Sequence, residues 1–285
     1  MDVSVIVLTF NSVSCIEECV ASALNSLTSA NLDGELIVFD NGSSDGTVQI
    51  LQNLERKFAN VTVFYSAENL GTTRSRNRAI RNTTGKYLLV LDSDAFITRE
   101  CLEGMLQHLL NNPRCGLVGP RLTYKSGNFQ LSYDSFPTLQ RKLSRLFRLR
   151  SIERSAVIEG EFTNVDYLIS ACWMMSREMF QQVGPLDENI FYAPEDADYC
   201  MRVWKTGYEV HYLSNISMVH DAQELSRSVR INKFALLHLA GLIYYFRKHK
   251  YLLDIKRIKT TINSKLTERW SESSTGPETP ERSSP

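Results

Sequence analysis

Four short apolar runs constrain this chain more than any other feature: VSVIVLTF (3–10), ELIVFD (35–40), VTVFYS (61–66) and YLLVLD (87–92). Each is nearly unbroken and rich in Val, Ile, Leu and aromatics, the pattern of parallel strands buried on both faces. Between them the period turns helical: Ile16, Cys19, Val20 and Ala23; then Val48, Leu51 and Leu54; then Ala79 and Ile80. Such alternation predicts an α/β fold, a mostly parallel sheet flanked by helices with right-handed crossovers. CGLVGPRLTY (115–124) reads as a further strand and turn, VDYLISACWMMS (165–176) as strand, and YEVHYL (208–213) and ISMVHD (216–221) as two more.

Open α/β sheets bind ligands beyond the carboxyl ends of their strands. The polar residues at those ends are Thr9 and Asn11, then DNGSSDGT (40–47), then DSDA (92–95), and they converge on one edge. Asp40 is placed either to accept a hydrogen bond from a base or ribose, or simply to start a turn. Gly42 and Gly46 permit close backbone approach, and Ser44 or Asp45 is available to cap the next helix. Neither Gly-x-x-x-x-Gly-Lys nor Gly-x-Gly-x-x-Gly occurs. P-loop hydrolysis and dinucleotide redox chemistry therefore lack their fingerprints.

Strand alternation puts Asp92 and Asp94 on one side, where two carboxylates repel unless a cation lies between them. Oxygen ligands of this kind suit Mg²⁺ or Mn²⁺; the bland reading is a turn. His220, ending a short strand, is a polar core residue by itself and a third ligand only in the company of those acids. NLGTTRSRNRAIR (69–81) sets Arg74, Arg78 and Arg81 on one helix face by i, i+4, i+3 spacing, with Arg76 pointing elsewhere. They are either a diphosphate grip at a helix start or a solvated basic face.

YAPEDADYCMR (192–202) opens another helix, with Pro194 at its first position and three acids in the first turn. The helix dipole alone accounts for acids there. Asp198 and Arg202 are i, i+4 partners expected to pair on one flank with Glu195 nearby. Asp196 projects about 100° away with no obvious partner on its helix, which marks it as a candidate general base.

The formal net charge is zero, so nucleic-acid binding has no bulk electrostatic support. The N-terminus carries an acid where a secretory signal would be basic, and no 18-residue apolar run occurs. The six cysteines form no Cys-x-x-Cys pair, which suits a reduced cytoplasmic setting. RKLSRLFRLR (141–150) is a basic amphipathic stretch, and KFALLHLAGLIYYFRKHK (233–250) an apolar helix with a basic end. The two either rest on anionic lipid as a peripheral membrane contact or are, respectively, a solvated helix and a helix packed in the core or a homodimer interface. The Ser-, Pro- and Glu-rich end, 269–285, is expected to be disordered.

Together VSVIVLTFN, LIVFDNGSSDGT, NLGTTRSRNRAI, GKYLLVLDSDA, the stretch LISACWMMSREMFQQVGPLDENIFYAPEDADYCMRVWKTGYEV and the VH at 219–220 resemble the inverting family 2 glycosyltransferases. The resemblance is strongest to the branch of rhamnosyl- and galactofuranosyl-transferases of bacterial surface polysaccharides. It implies a Rossmann-like, glycosyltransferase A-type domain over 1–225, with a nucleotide-sugar half (1–120) and an acceptor half (121–225), followed by a helical segment (226–268). It implies that Thr9, Asn11, Asp40, Arg76, Asp92 and Ser93 contact the donor, with Asp40 facing the pyrimidine. Asp94, Asp92 and His220 would hold Mn²⁺ or Mg²⁺, Asp196 would be the catalytic base, and Glu195, Asp198 and Arg202 would support it. The expected activity is sugar transfer from a UDP- or dTDP-linked donor, dTDP-rhamnose among them, to a polysaccharide or lipid-linked glycan at the inner face of the membrane.

One departure stands out: relatives carry His-x-x-Gly-x-Ser where this chain reads HDAQELS from His220. Two rival readings use the same metal edge, a nucleotidyltransferase and a non-catalytic nucleotide-sugar-binding module. The first wants a Gly-rich, basic turn after the first strand, which TFNSVSC does not supply; the acids at 92, 94 and 196 count against the second.

Overall fold

The computed structural model describes residues 1–141, 160–222 and 233–271. The N-terminal half runs β1 (Val3–Thr9), α1 (Ile16–Ser29), β2 (Gly34–Asp40), α2 (Thr47–Lys57), β3 (Val61–Tyr65), α3 (Thr72–Arg81), β4 (Tyr87–Asp92) and β5 (Ala95–Phe96). Then come α4 (Arg99–Asn111), β6 (Cys115–Thr123), β7 (Phe129–Gln130), β8 (Tyr133–Asp134), β9 (Phe162–Asn164), β10 (Tyr167–Leu168), β11 (Cys172–Ser176) and α5 (Arg177–Val183). The chain closes with α6 (Glu195–Lys205), β12 (Glu209–His220), α7 (Lys233–His249) and α8 (Lys256–Ser271).

One ten-stranded sheet joins both halves in the order β3-β2-β1-β4-β11-β6-β12-β5, with β7 on β6 and β9 on β12. The long strands β1 to β4, β6 and β12 run parallel, and β11 runs against β4 and β6. The four apolar runs form the parallel side because their side chains are buried on both faces of the sheet: Val5 and Val7 pack with α1, while Ile6 packs with α3. The chain travels outward from β1 to β3, then returns through α3 to β4 on the other side of β1. The crevice outside the carboxyl ends of β1 and β4 is therefore a topological switch point.

Three readings of the sequence need correction. Segments 208–213 and 216–221 are one strand, β12, whose register on β6 shifts between Leu213 and Ser217. A bulge of this kind breaks the local alternation without ending the strand. Segment 165–176 is two strands in different sheets: β10 pairs with β8, a ladder that the Ile169 N–H extends to Ser132 O (2.9 Å), while β11 pairs with β4 and β6. The expected disorder at 269–285 starts too early: Trp270 donates to Gly207 O (2.8 Å), and the Arg269 guanidinium lies 3.8 Å from the centre of the Tyr208 ring.

Helix α7 presents two faces. Gly241, Tyr245 and His249 are buried, and a side chain at Gly241 would run into the backbone of Ala193. Leu236, Leu239 and Ile243 are exposed on the other face. Among the described residues no helix is long and apolar enough to cross a membrane. Of the 141–150 stretch only Arg141 is described; its guanidinium pairs with Asp134 (2.7 Å). The rest, the departure at HDAQELS beyond Ala222, and 272–285 lie outside the described residues.

Candidate active site

Thr9 and Asp40 end adjacent strands in register. Both are buried, and both keep a polar atom without a hydrogen-bond partner, Thr9 Oγ1 and Asp40 Oδ1. Buried polar atoms are rarely left unmatched, so this pair suits a polar ligand at the strand ends. The other Asp40 oxygen accepts from Ser43 N (3.1 Å). Gly42 has φ +84° and a Cβ there would lie 2.8 Å from the Glu68 carbonyl carbon, which fixes glycine in this turn. Asn11, also at positive φ, braces the loop by donating its N–H to Ser43 Oγ and accepting from Ser44 N, both at 2.8 Å. Gly46, not Ser44 or Asp45, takes the N-cap position of α2, and Asp45 braces the turn by accepting from Thr47 N and Val13 N (both 3.1 Å).

Beyond β4 the turn at 92–94 brings Asp92, Asp94 and His220 together, with ligating atoms of all three within 4.8 Å of one another. His220 arrives from the end of β12, which pairs there with β5. Gln130 Oε1 accepts from His220 Nδ1 (2.9 Å), which turns Nε2 toward Asp94 (3.3 Å). Burial works to lower the His220 pKa, but the Asp94 carboxylate outweighs it and the net shift is upward. Two carboxylates and one imidazole fit a hard divalent cation such as Mn²⁺ or Mg²⁺. Ser93 Oγ bonds Ser12 Oγ (2.8 Å), holding the turn against the loop after β1.

Arg76 joins this rim to the acid-rich helix. It is only 2% exposed, and its Nη2 meets Asp92 Oδ1 (2.6 Å) and Ser170 O (3.1 Å) while Nη1 reaches Glu195 Oε1 (3.5 Å). Glu195 therefore faces the sheet, not the Arg202 flank that spacing suggested; Ser170 Oγ also donates to it (2.9 Å). Burial, together with the neighbouring Asp196, pushes the Glu195 carboxyl up to about 8 against the pull of Arg76. Enclosure likewise raises Asp92 despite Arg76. The Asp198–Arg202 pair forms as spacing predicts (3.1 Å). Asp196 is half-buried beside Glu195, and its Oδ1 accepts from Ala197 N (2.7 Å), so it does have a contact on its own helix.

The other arginines stay away from the rim: Arg81 and Arg74 reach Glu188 at 3.0 and 3.9 Å on the surface.

A profile of the family described as glycosyl transferase family 2 matches residues 4–184. The chain belongs to this family. Family membership makes it a glycosyltransferase that uses a nucleotide sugar, and the nucleotidyltransferase and non-catalytic readings fall away. Glycosyltransferase AglE of Haloferax volcanii is 25% identical over 238 residues, 81% of this chain and 72% of that protein. The N-acetylglucosaminyl-diphospho-decaprenol L-rhamnosyltransferase of Mycobacterium tuberculosis is 24% identical over 233 residues, 75% of each chain. Among solved structures, a mannosyltransferase of Pyrobaculum calidifontis in complex with GDP-Man and Mn²⁺ superposes with a TM-score of 0.61. It is 18% identical, and the match covers 93% of this chain and 69% of that one. The fold of this glycosyltransferase is thus the A-type.

Several groups in this glycosyltransferase escape sequence reading. Ser170 and Ser12 contact the rim from irregular segments, and Gln130 from the two-residue strand β7, none of which is long enough to carry a periodic signal. His249 and Lys248, read only as the basic end of an apolar helix, bond Asp198 at 2.8 and 2.6 Å.

Proposed function

We propose that the protein is an inverting glycosyltransferase that moves a sugar from a UDP- or dTDP-linked donor, dTDP-rhamnose foremost, to a hydroxyl of a lipid-linked or polysaccharide glycan. The observation that carries this reading is the Arg76 bridge, which ties Asp92 on the sheet rim to Glu195, the residue next to Asp196. The rhamnosyltransferase relative, whose name gives a decaprenol-linked acceptor, supports the substrate class.

In this reading Asp40 Oδ1 accepts from the base and Thr9 Oγ1, Asn11, Ser93 and Arg76 line the donor pocket. Asp94, Asp92 and His220 would hold Mn²⁺ or Mg²⁺, which would supply positive charge opposite the leaving diphosphate. Asp196 accepts the proton of the acceptor hydroxyl as that oxygen attacks the anomeric carbon from the face opposite the diphosphate, so configuration inverts. Its position does most of the work. Residues 1–120 serve the donor and 121–225 the acceptor. The exposed Leu236, Leu239 and Ile243, followed by exposed Arg247 and Lys250, rest on anionic lipid at the cytoplasmic face, where a lipid-linked acceptor is presented.

The test is Asp196→Asn, assayed with Mn²⁺ and dTDP-rhamnose or UDP-sugars. Donor binding by calorimetry should be kept while transfer falls at least about a hundredfold. An undiminished transfer rate refutes the base assignment.

A further inference from the structure

A second group of ligating side chains lies at the opposite end of the sheet. His108 comes from α4, Cys115 opens β6, and His211 lies near the start of β12; their ligating atoms fall within 4.8 Å of one another. The distance along β12 from His211 to His220 is nine residues, about 30 Å of strand. This cluster is therefore separate from the rim.

Its surroundings are built. His108 Nε2 and His211 Nδ1 are 2.8 Å apart, and His211 Nε2 sits 2.9 Å from Glu209 Oε2. Phe162 stacks on the His211 ring (4.8 Å between centres) and meets the His108 ring edge-on (4.7 Å). Cys115 and His211 are buried. The chain from Glu209 through His211 to His108 is a complete hydrogen-bonded relay, but it gives the sulfur no part. Cys115 Sγ lies beside both imidazoles; it donates to Leu117 O (3.5 Å) and the His211 backbone faces it, but neither ring bonds it.

We propose that His108, Cys115 and His211 form a binding site for a zinc-like divalent cation. Two imidazoles and a thiolate are borderline-soft donors that select Zn²⁺ over Mg²⁺ or Mn²⁺, which prefer oxygen. Three protein ligands leave the fourth tetrahedral position to water. Glu209 supplies the carboxylate that orients a metal-bound histidine through its other ring nitrogen. Burial, with His211 alongside, lowers His108 to about 4, so its ring is neutral and able to ligate at neutral pH. Burial raises the Cys115 thiol, so binding breaks its S–H bond: the proton leaves to solvent, the sulfur lone pair goes to the metal, and nothing is oxidised or reduced. The ion would tie α4 to β6 and β12.

Cobalt(II) titration of chelator-stripped, full-length protein tests this, using Asp94→Ala as background to silence the rim. One equivalent should bind with a thiolate-to-cobalt charge-transfer band, Zn²⁺ should displace it, and thermal unfolding should rise with added Zn²⁺. Cys115→Ser should abolish the band, and Glu209→Gln should weaken binding about tenfold. If Cys115→Ser is unfolded, His108→Gln, which can still hydrogen-bond His211, replaces it and should weaken binding at least about tenfold. No charge-transfer band at one equivalent, or a band unaltered in these variants, overturns the proposal.

Discussion

His249 Nε2 lies 2.8 Å from Asp198 Oδ1, so the last turn of α7 is fastened to the helix that opens with Glu195 and Asp196. Lys248 Nζ reaches the same oxygen at 2.6 Å, and Arg202 Nε takes the other at 3.1 Å. Lys205 Nζ is 2.9 Å from His249 Nδ1, so a neutral His249 can accept from the lysine while donating to the aspartate. Burial works to raise Asp198, but these donors outweigh it and hold its pKa below the usual carboxylate range. A C-terminal helix thus sets the pose of the helix that bears the proposed base.

Replacing Asp198 with Asn should destabilise the protein by about 2 kcal/mol, because it leaves the half-buried Lys248 and Arg202 without their counter-charge. Urea denaturation measures this as a lower midpoint with unchanged slope. Since the folded carboxyl titrates below its unfolded value, the wild-type advantage should be full at neutral pH and shrink as pH falls through the acidic range. An unchanged midpoint at neutral pH would show that the α7 fastening contributes nothing.

Asp94→Ala removes one carboxylate from the rim cluster and leaves the Arg76–Asp92 pair in place. Calorimetry with Mn²⁺ present should show donor binding weakened at least about tenfold relative to wild type. With chelator added, the two proteins should converge. Equal donor affinity in both proteins with Mn²⁺ would refute the metal role of this cluster.

How far the sequence reaches depends on whether a signal is local. The four apolar runs predict β1 to β4 to within a residue, because strands buried on both faces need unbroken apolar side chains. Asp92 and Asp94 are legible because they follow such a run directly. Asp198 and Arg202 are legible because one helical turn joins them. The orientation of Glu195 is not legible, since its partners, Arg76 and Ser170, are 119 and 25 residues away and no spacing rule encodes them. The same holds for His249 at 51 residues from Asp198. Bulges hide strands for a related reason: Ser214 and Asn215 interrupt alternation in β12, yet β6 still pairs on either side.

The outer face of α7 exposes Leu236, Leu239 and Ile243 at 60%, 55% and 54%, next to Arg247 and Lys250. Vesicles containing phosphatidylglycerol should retain the wild-type protein at low salt, and release it as salt rises. Leu239→Glu with Ile243→Glu should abolish retention while leaving the melting temperature within a few degrees, since neither side chain is in the core. Equal retention of the double variant sinks the lipid reading. A wild-type dimer that the variant converts to monomer would replace it with a homodimer interface.

Glu195 ties acidity to stability in a direction opposite to Asp198. Its carboxyl rises on folding from the ordinary glutamate value of 4.5 to about 8, because burial and Asp196 disfavour its charge. Across that window the folded state binds a proton that the unfolded state has lost, so stability must fall as pH rises. Glu195→Gln keeps the shape and an acceptor for Ser170 Oγ but cannot ionise. Between about pH 5 and about pH 8 the wild-type melting temperature should therefore drop more steeply than that of the variant. Arg76, 3.5 Å away, limits the size of the effect without reversing it, since its attraction is already included in the net upward shift. Parallel melting curves for the two proteins over this range would mean that Glu195 is ionised throughout, and that the Arg76 bridge is a full ion pair.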